Sequence, residues 1–261
     1  WPLPSMAPLA HTLALLAMTV ATAAIEVVPL DTAPDSFDDQ YRGCGPAMTA
    51  ALPALDRSEF QQNPLLAQGW AKATAEWQSR GSRVSPLSSP AQAIALMAYT
   101  MEDLYKEFNA ATRKAGSSHQ EYRDKFHFKT LHFLLTDALE RLRDVRGQSS
   151  EQCPCVVRRV DGSQFKAQLG NTVRFGQFAS TFLCSNGPPD FGTGTVFQVY
   201  TCHGVNIRDF SFDPSEKEVL IPPFETFVVT EVTREGDRTR IQLRSAGTHS
   251  NHNCEWLRGD V

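Results

Sequence analysis

Apolar positions in the first half of the chain recur at mixed threes and fours, the spacing of one buried helix face. Leu52, Leu55, Phe60, Leu65, Leu66, Trp70 and Trp77 carry that rhythm through residues 48–80. The run GSRVSPLSSP, residues 81–90, interrupts it with loop-forming residues. Ile94, Met97, Ala98, Met101, Leu104, Tyr105 and Phe108 form a second stripe over 91–114, and AGSSHQ breaks it. Phe126, Phe128, Leu131, Leu134, Leu135, Leu139 and Leu142 form a third over 122–143. Three long helices are therefore expected, with their aromatic stripes packed into a core. Past Gly147 the grammar changes. CVVRRV, NTVRFGQFAST, GTVFQVYTC, KEVLIPPF, TFVVTEVTR and TRIQLRSAG are short, rich in β-branched residues and punctuated by Gly, Pro and Asn, which reads as strands. Helices first and strands afterwards is the α+β pattern. The change near 148–152 separates two lobes of one domain, a helical part over 25–150 and a β-rich part over 151–261.

Ahead of the helices, MAPLAHTLALLAMTVATAA starts at Met6 and ends in small residues. That is the shape of a secretory signal peptide cleaved after Ala23 or Ala24, so residues 1–24 are set aside from the fold. The apolar stretch falls short of the ~20 residues that a bilayer span needs. The polar ending HSNHNCEWLRGDV predicts no lipid or other membrane anchor. A secreted, extracellular product (or one held in a secretory-granule lumen) is expected, soluble and monomeric. The six cysteines fit this, because an even count in a secreted chain reads as disulfides, with the pairing left open. No Cys-x-x-Cys pair exists, the histidines lack His-Glu-x-x-His spacing, and no metal is expected. A net charge of −4 without a basic block argues against a nucleic-acid partner.

The strand segments carry the candidate chemistry. Arg158 stands inside an otherwise apolar strand, where a charge is costly unless it is paired or binds an anion. Arg159 must face the other way, because side chains alternate. VRFGQFAST offers Ser180 and Thr181. Glu216 and Glu218, in SEKEVLIPPF, share one face if that segment is extended. Taken singly, each is bland: an ion-paired arginine, a backbone-satisfied hydroxyl, a solvated acidic turn. FGTGT, residues 191–195, is a turn and not the GxGxxG of a dinucleotide fold. The RGD triplet at Arg258–Asp260 is too short to assign an adhesion role.

Taken in order, these elements resemble the arginine-specific mono-ADP-ribosyltransferases, the vertebrate ecto-enzymes with an R-S-ExE signature. The likeness runs from FDDQYRGC through the ALMAYT and HFLLTDAL helices to SEKEVLIPPFETFVV. It implies a helical N-terminal part packed on a mixed two-sheet β core, with a cleft for NAD and no metal. By the resemblance, Arg158 contacts the phosphate and ribose region of NAD, and Gly176, Gln177 and Phe178 belong to the same binding segment. Ser180 holds the catalytic glutamate, Glu218 is that glutamate, and Glu216 is the acid that goes with arginine as acceptor. The loop before them is implied to face the acceptor protein through Phe210. The implied reaction transfers ADP-ribose from NAD to protein arginine side chains. A secreted NAD glycohydrolase and a catalytically silent binding protein are the alternatives on the same scaffold. The resemblance also implies disulfides Cys44–Cys254 and Cys153–Cys202, which leaves Cys155 to Cys184. Two departures stand out. Arg159 occupies a position that is often Gly, and Phe182 replaces the second serine of a Ser-x-Ser pair.

Overall fold

The computed structural model describes residues 25–146, 153–184 and 192–259. The signal-peptide reading of 1–24, the lobe boundary at 148–152 and Asp260 of the RGD triplet lie outside these residues. Strand β1 (Glu26–Pro29) precedes six helices: α1 (Gly45–Gln62), α2 (Pro64–Ser79), α3 (Pro90–Tyr99), α4 (Glu102–Ala115), α5 (His119–Lys125) and α6 (Lys129–Arg146). Each of the three expected long helices is therefore a pair. The first breaks at Asn63-Pro64, where the Asn63 side chain accepts from the Leu66 amide and caps α2. The second breaks at Thr100-Met101, and the third at residues 126–128, where Glu59 of α1 accepts the Lys129 and Thr130 amides at 2.7 and 2.9 Å. A buried carboxylate thus caps α6 from a neighbouring helix, a cap that apolar periodicity does not reveal.

The strands follow: β2 (Cys155–Asp161), β3 (Ser163–Lys166), β4 (Thr172–Val173), β5 (Ala179–Leu183), β6 (Gly194–Tyr200), β7 (Val205–Asn206), β8 (Glu218–Ile221), β9 (Glu225–Glu235) and β10 (Arg238–Thr248). The fold is α+β, as expected. Eight strands join in the order β4-β9-β10-β6-β2-β5-β8-β7, and β1 with β3 makes a small parallel sheet. Among the described residues, only β10 and β6 run parallel in the large sheet; its other neighbours are antiparallel.

Strand alternation divides the interior into two cores. Val156, Val173, Ala179, Phe197, Val199, Val219, Ile221, Phe227, Val229, Ile241 and Leu243 pack together on one side. Phe178 and Leu220, one residue out of phase, join Tyr99, Phe108, Phe133 and the other helical residues on the second side. Strands β5 and β8 therefore form the seam between sheet and helices.

Three disulfides join Cys44 to Cys254, Cys153 to Cys202 and Cys155 to Cys184. The first fastens the start of α1 to the C-terminal segment. Beside it, fully buried Asp38 accepts from Arg174 Nη1 at 2.6 Å and from the Asn251 and His252 amides. Burial pushes the Asp38 carboxyl up, but hydrogen bonds from His252, Arg174 and the Asn251 amide together hold it below the usual carboxylate range. None of the described helices is long and apolar enough to cross a membrane.

Candidate active site

The seam opens because one strand leaves its neighbour. β2 stays with β6 along its whole length, Cys155 to Asp161. It pairs with β5 only through Val156–Leu183 and Val157–Phe182. β5 continues beside β8, with Phe182 opposite Glu218 and Ser180 opposite Leu220. Val157, Phe182 and Glu218 thus form one row across three strands. Beyond it β2 and β5 part, and Arg158 reaches across the gap to donate from Nη1 to the Ser180 carbonyl at 2.9 Å.

This divergence, roofed by the α3–α4 junction, makes a cleft of about 580 Å³. Arg158, Ser180, Glu216 and Glu218 all line it, with Thr100, Glu102 and Tyr105 from the helices and Arg159, Phe182 and Leu183 from the strands. A cleft of this size and mixed lining suits a small organic ligand. Among the described residues, no group of three or more His, Cys, Asp or Glu is placed to hold a metal ion.

Glu218 is the electrostatic anomaly. Its residue is 3% exposed, and its Oε1 is buried without a hydrogen-bond partner. Burial raises its pKa above the usual carboxylate range; a hydrogen bond from Ser180 opposes the rise, Glu216 adds to it, and Arg158 opposes it. Arg158 is itself lowered by burial, against the pull of Tyr99, Tyr105 and Glu218. Behind Ser180 stands Tyr99, which donates to the Phe178 carbonyl at 3.0 Å and receives Asn109 Nδ2 at 3.2 Å. Its hydroxyl comes within 3.5 Å of Ser180 Oγ, and burial pushes it up to about 12.

Glu216 and Glu218 do not share an extended segment. Pro214–Glu216 is a 3-10 turn, and Lys217 adopts left-handed φ 51° and ψ 46° before β8 begins. A non-glycine residue there costs on the order of 1 kcal/mol, which the surrounding loop must sustain. Arg80 does part of this, donating to the carbonyls of Ser211 and Phe212 at 2.8 and 2.6 Å, and Thr100 Oγ1 accepts the Phe212 amide at 2.8 Å. The two acids therefore reach one cleft from different backbone conformations.

The helical lobe holds the other expected site residues. Phe178 is fully buried against Tyr99, Phe108 and His132, with ring centroids 5.4–6.0 Å away. Gly176 turns at φ 65°, where a Cβ would stand 2.3 Å from that of Ala33, and its carbonyl accepts from Ser36. Gln177 accepts from Arg113. These three residues anchor the entry to β5, and Gln177 does so through Arg113, whose guanidinium feels the charge of Arg158. Phe210 is only 3% exposed and packs in the helical core, whereas Phe212 is the loop's exposed aromatic at 40%. Phe210 closes a 3-10 turn and points inward; residue type alone cannot distinguish the two. Sequence reasoning missed Tyr99, Asn109, Thr100, Glu102 and Tyr105. Tyr99 and Tyr105 carry the same signal as any core stripe, and the buried polar pair Tyr99–Asn109 shows only in three dimensions.

The chain has recognisable relatives. A family profile described as NAD:arginine ADP-ribosyltransferase matches residues 30–251. NAD(P)(+)–arginine ADP-ribosyltransferase 2 of Gallus gallus is 50% identical over 254 residues, which span 94% of this chain and 80% of that one. The GPI-linked NAD(P)(+)–arginine ADP-ribosyltransferase 1 of Mus musculus is 49% identical over 242 residues, spanning 88% and 74%. The crystal structure of the eukaryotic mono-ADP-ribosyltransferase ART2.2 superposes with a TM-score of 0.72 at 34% identity, covering 87% of this chain and 98% of that one. A mutant of that enzyme, solved in complex with NAD, gives a TM-score of 0.71.

Proposed function

The chain belongs to the NAD:arginine ADP-ribosyltransferase family, and from that premise we propose that its cleft transfers ADP-ribose from NAD or NADP to protein arginine side chains, releasing nicotinamide. The observation that carries the reading is the Glu218 carboxylate, buried with one oxygen unpartnered in a cleft shared with Arg158, Ser180 and Glu216. An orphaned buried charge is expensive in a folded protein and marks a place where a ligand completes the electrostatics.

Arg158 fits the negative portion of the dinucleotide, since its half-buried side chain lines the cleft and its hydrogen bond goes to a neutral carbonyl. Breaking the bond between nicotinamide and ribose builds positive charge on the sugar, the kind of transition state that glycosidases stabilise with carboxylates. Glu218 supplies a fixed negative charge and an acceptor for a ribose hydroxyl where that charge develops. Ser180 orients Glu218. The incoming guanidinium is protonated at physiological pH and is a poor nucleophile in that form. Glu216 attracts it and takes its proton as the new bond forms. The acceptors are arginine-bearing proteins outside the cell, a location supported by the three disulfides, which form and persist in oxidising compartments.

The test uses adenylate-labelled NAD with agmatine as acceptor. Label on agmatine with release of nicotinamide supports the reading, and free ADP-ribose alone makes the protein a hydrolase. Glu218→Gln is expected to abolish nicotinamide release. Glu216→Gln is expected to remove transfer while hydrolysis continues; equal loss of both would show that the two acids do not divide the work in this way.

A further inference from the structure

Resting on the reading of the cleft just given, we propose that Phe182 determines how the ADP-ribosyl group is partitioned between arginine and water, by laying an aromatic face beside the two glutamates on the acceptor side. The register places it beside Glu218, and the cleft it lines also holds Glu216. Phe182 is the direct cross-strand partner of Glu218 on one side and of Val157 on the other. Directly opposed side chains in such a pair have Cβ atoms about 5 Å apart. The ring lines the cleft and stays 42% exposed, although its strand is paired on both sides at this point. A large apolar ring left open between paired strands forgoes burial that a core position would give it. Its value therefore lies in what comes to rest on it.

The chemistry of the two competing nucleophiles differs in a way the ring can read. In transfer, the ribose–nicotinamide bond breaks and its electron pair leaves with nicotinamide. A guanidinium nitrogen forms the new bond to the same carbon, and its proton passes to Glu216. In hydrolysis, a water oxygen forms that bond and gives up a proton instead. A guanidinium is planar and cationic, so it stacks on an aromatic face while its edge meets the carboxylates. Water gains nothing from a phenyl ring and is displaced by it. The row Val157–Phe182–Glu218 thus sets an apolar surface next to a carboxylate, which favours a flat cation over solvent.

The experiment measures ADP-ribosyl-agmatine and free ADP-ribose from labelled NAD for the full chain and for Phe182→Ser, Phe182→Leu and Phe182→Tyr. In Phe182→Ser the ratio of transfer to hydrolysis is expected to fall about tenfold, the scale of one partly desolvated cation–π contact. The KM for agmatine should rise, and a larger share of the NAD consumed should end as free ADP-ribose. Phe182→Tyr keeps the face and should keep the ratio. Phe182→Leu keeps apolar bulk without the face and should fall between Phe182→Ser and the parent. A ratio in Phe182→Ser or Phe182→Leu equal to that of the parent protein overturns the proposal. Absence of labelled agmatine with the parent protein overturns the arginine reading itself, which separates the two failures.

Discussion

Ser180→Ala is the sharpest probe of the site, because the Ser180 hydroxyl has one proton and the structure limits where it can go. Tyr99 uses its own proton on the Phe178 carbonyl at 3.0 Å and receives one from Asn109 at 3.2 Å. Toward Ser180 Oγ, at 3.5 Å, Tyr99 can only accept, and over a long contact. The Glu218 carboxylate is the stronger acceptor, and the hydrogen bond from Ser180 holds its pKa down against burial. Hydrogen bonds to charged groups are worth about 1.5–3 kcal/mol. If that bond serves Glu218 in the transition state, its loss lowers kcat/KM by roughly 10- to 150-fold. The same deletion has a directional signature. Without the hydroxyl, burial and Glu216 act on Glu218 with less opposition, so its pKa rises further. The acid limb of the pH profile for nicotinamide release should therefore move toward higher pH. The alanine fits the space, so denaturant stability should change by only about 1 kcal/mol. A fall in kcat/KM with the acid limb unmoved, or moved toward lower pH, would refute the idea that Ser180 works through Glu218.

Two further predictions concern the frame. Arg174→Met leaves the Asp38 carboxylate buried without its guanidinium partner; urea denaturation should show a loss of about 3–5 kcal/mol, and a loss near zero would remove Asp38–Arg174 as a clamp on the termini. His132 is fully buried between Tyr41 and the Phe37 carbonyl, and burial pushes its pKa down to about 3. Between its ordinary pKa and about 3 the unfolded chain binds a proton that the fold does not, so stability falls with falling pH at about 1.4 kcal/mol per unit. The stability difference between the parent protein and His132→Gln should narrow by that slope as pH drops below neutrality, and a constant difference would count against it.

The helical lobe and the strand-rich lobe were legible because buried faces repeat at 3.6 and 2.0 residues whatever the fold around them. The breaks inside the helices were not. Asn63 caps α2 locally while also donating to the distant His127 carbonyl, and the start of α6 is capped by Glu59 of α1, far away in sequence. β1, β3 and β7 are only two to four residues long, too few for alternation to register. Arg158, Ser180, Glu216 and Glu218 could be read from their order, and the cleft gathers all four. Phe178 illustrates the limit: alternation says that it is buried, but not that the helical core receives it. The aromatic loop residues fail for a related reason, since a 3-10 turn at Arg208–Phe210 turns Phe210 inward and leaves Phe212 out.

The separation of charges at the site carries the remaining step. Half-buried Arg158 and buried Glu218 line one cleft, and each pulls the other's pKa toward its charged form. Yet the hydrogen bond from Arg158 goes to the Ser180 carbonyl, and Oε1 of Glu218 has no partner among the described residues. Had the two closed into an ion pair, the carboxylate would already be neutralised, with little attraction left for positive charge on a sugar. The parting of β2 from β5 prevents this, because Arg158 stands one residue past the last shared pair and Glu218 sits across the row of Val157 and Phe182. Folding accepts an under-compensated carboxylate at this point. A substrate whose phosphates meet the arginine and whose ribose turns cationic beside the glutamate relieves both charges at once, and it does so most fully in the transition state.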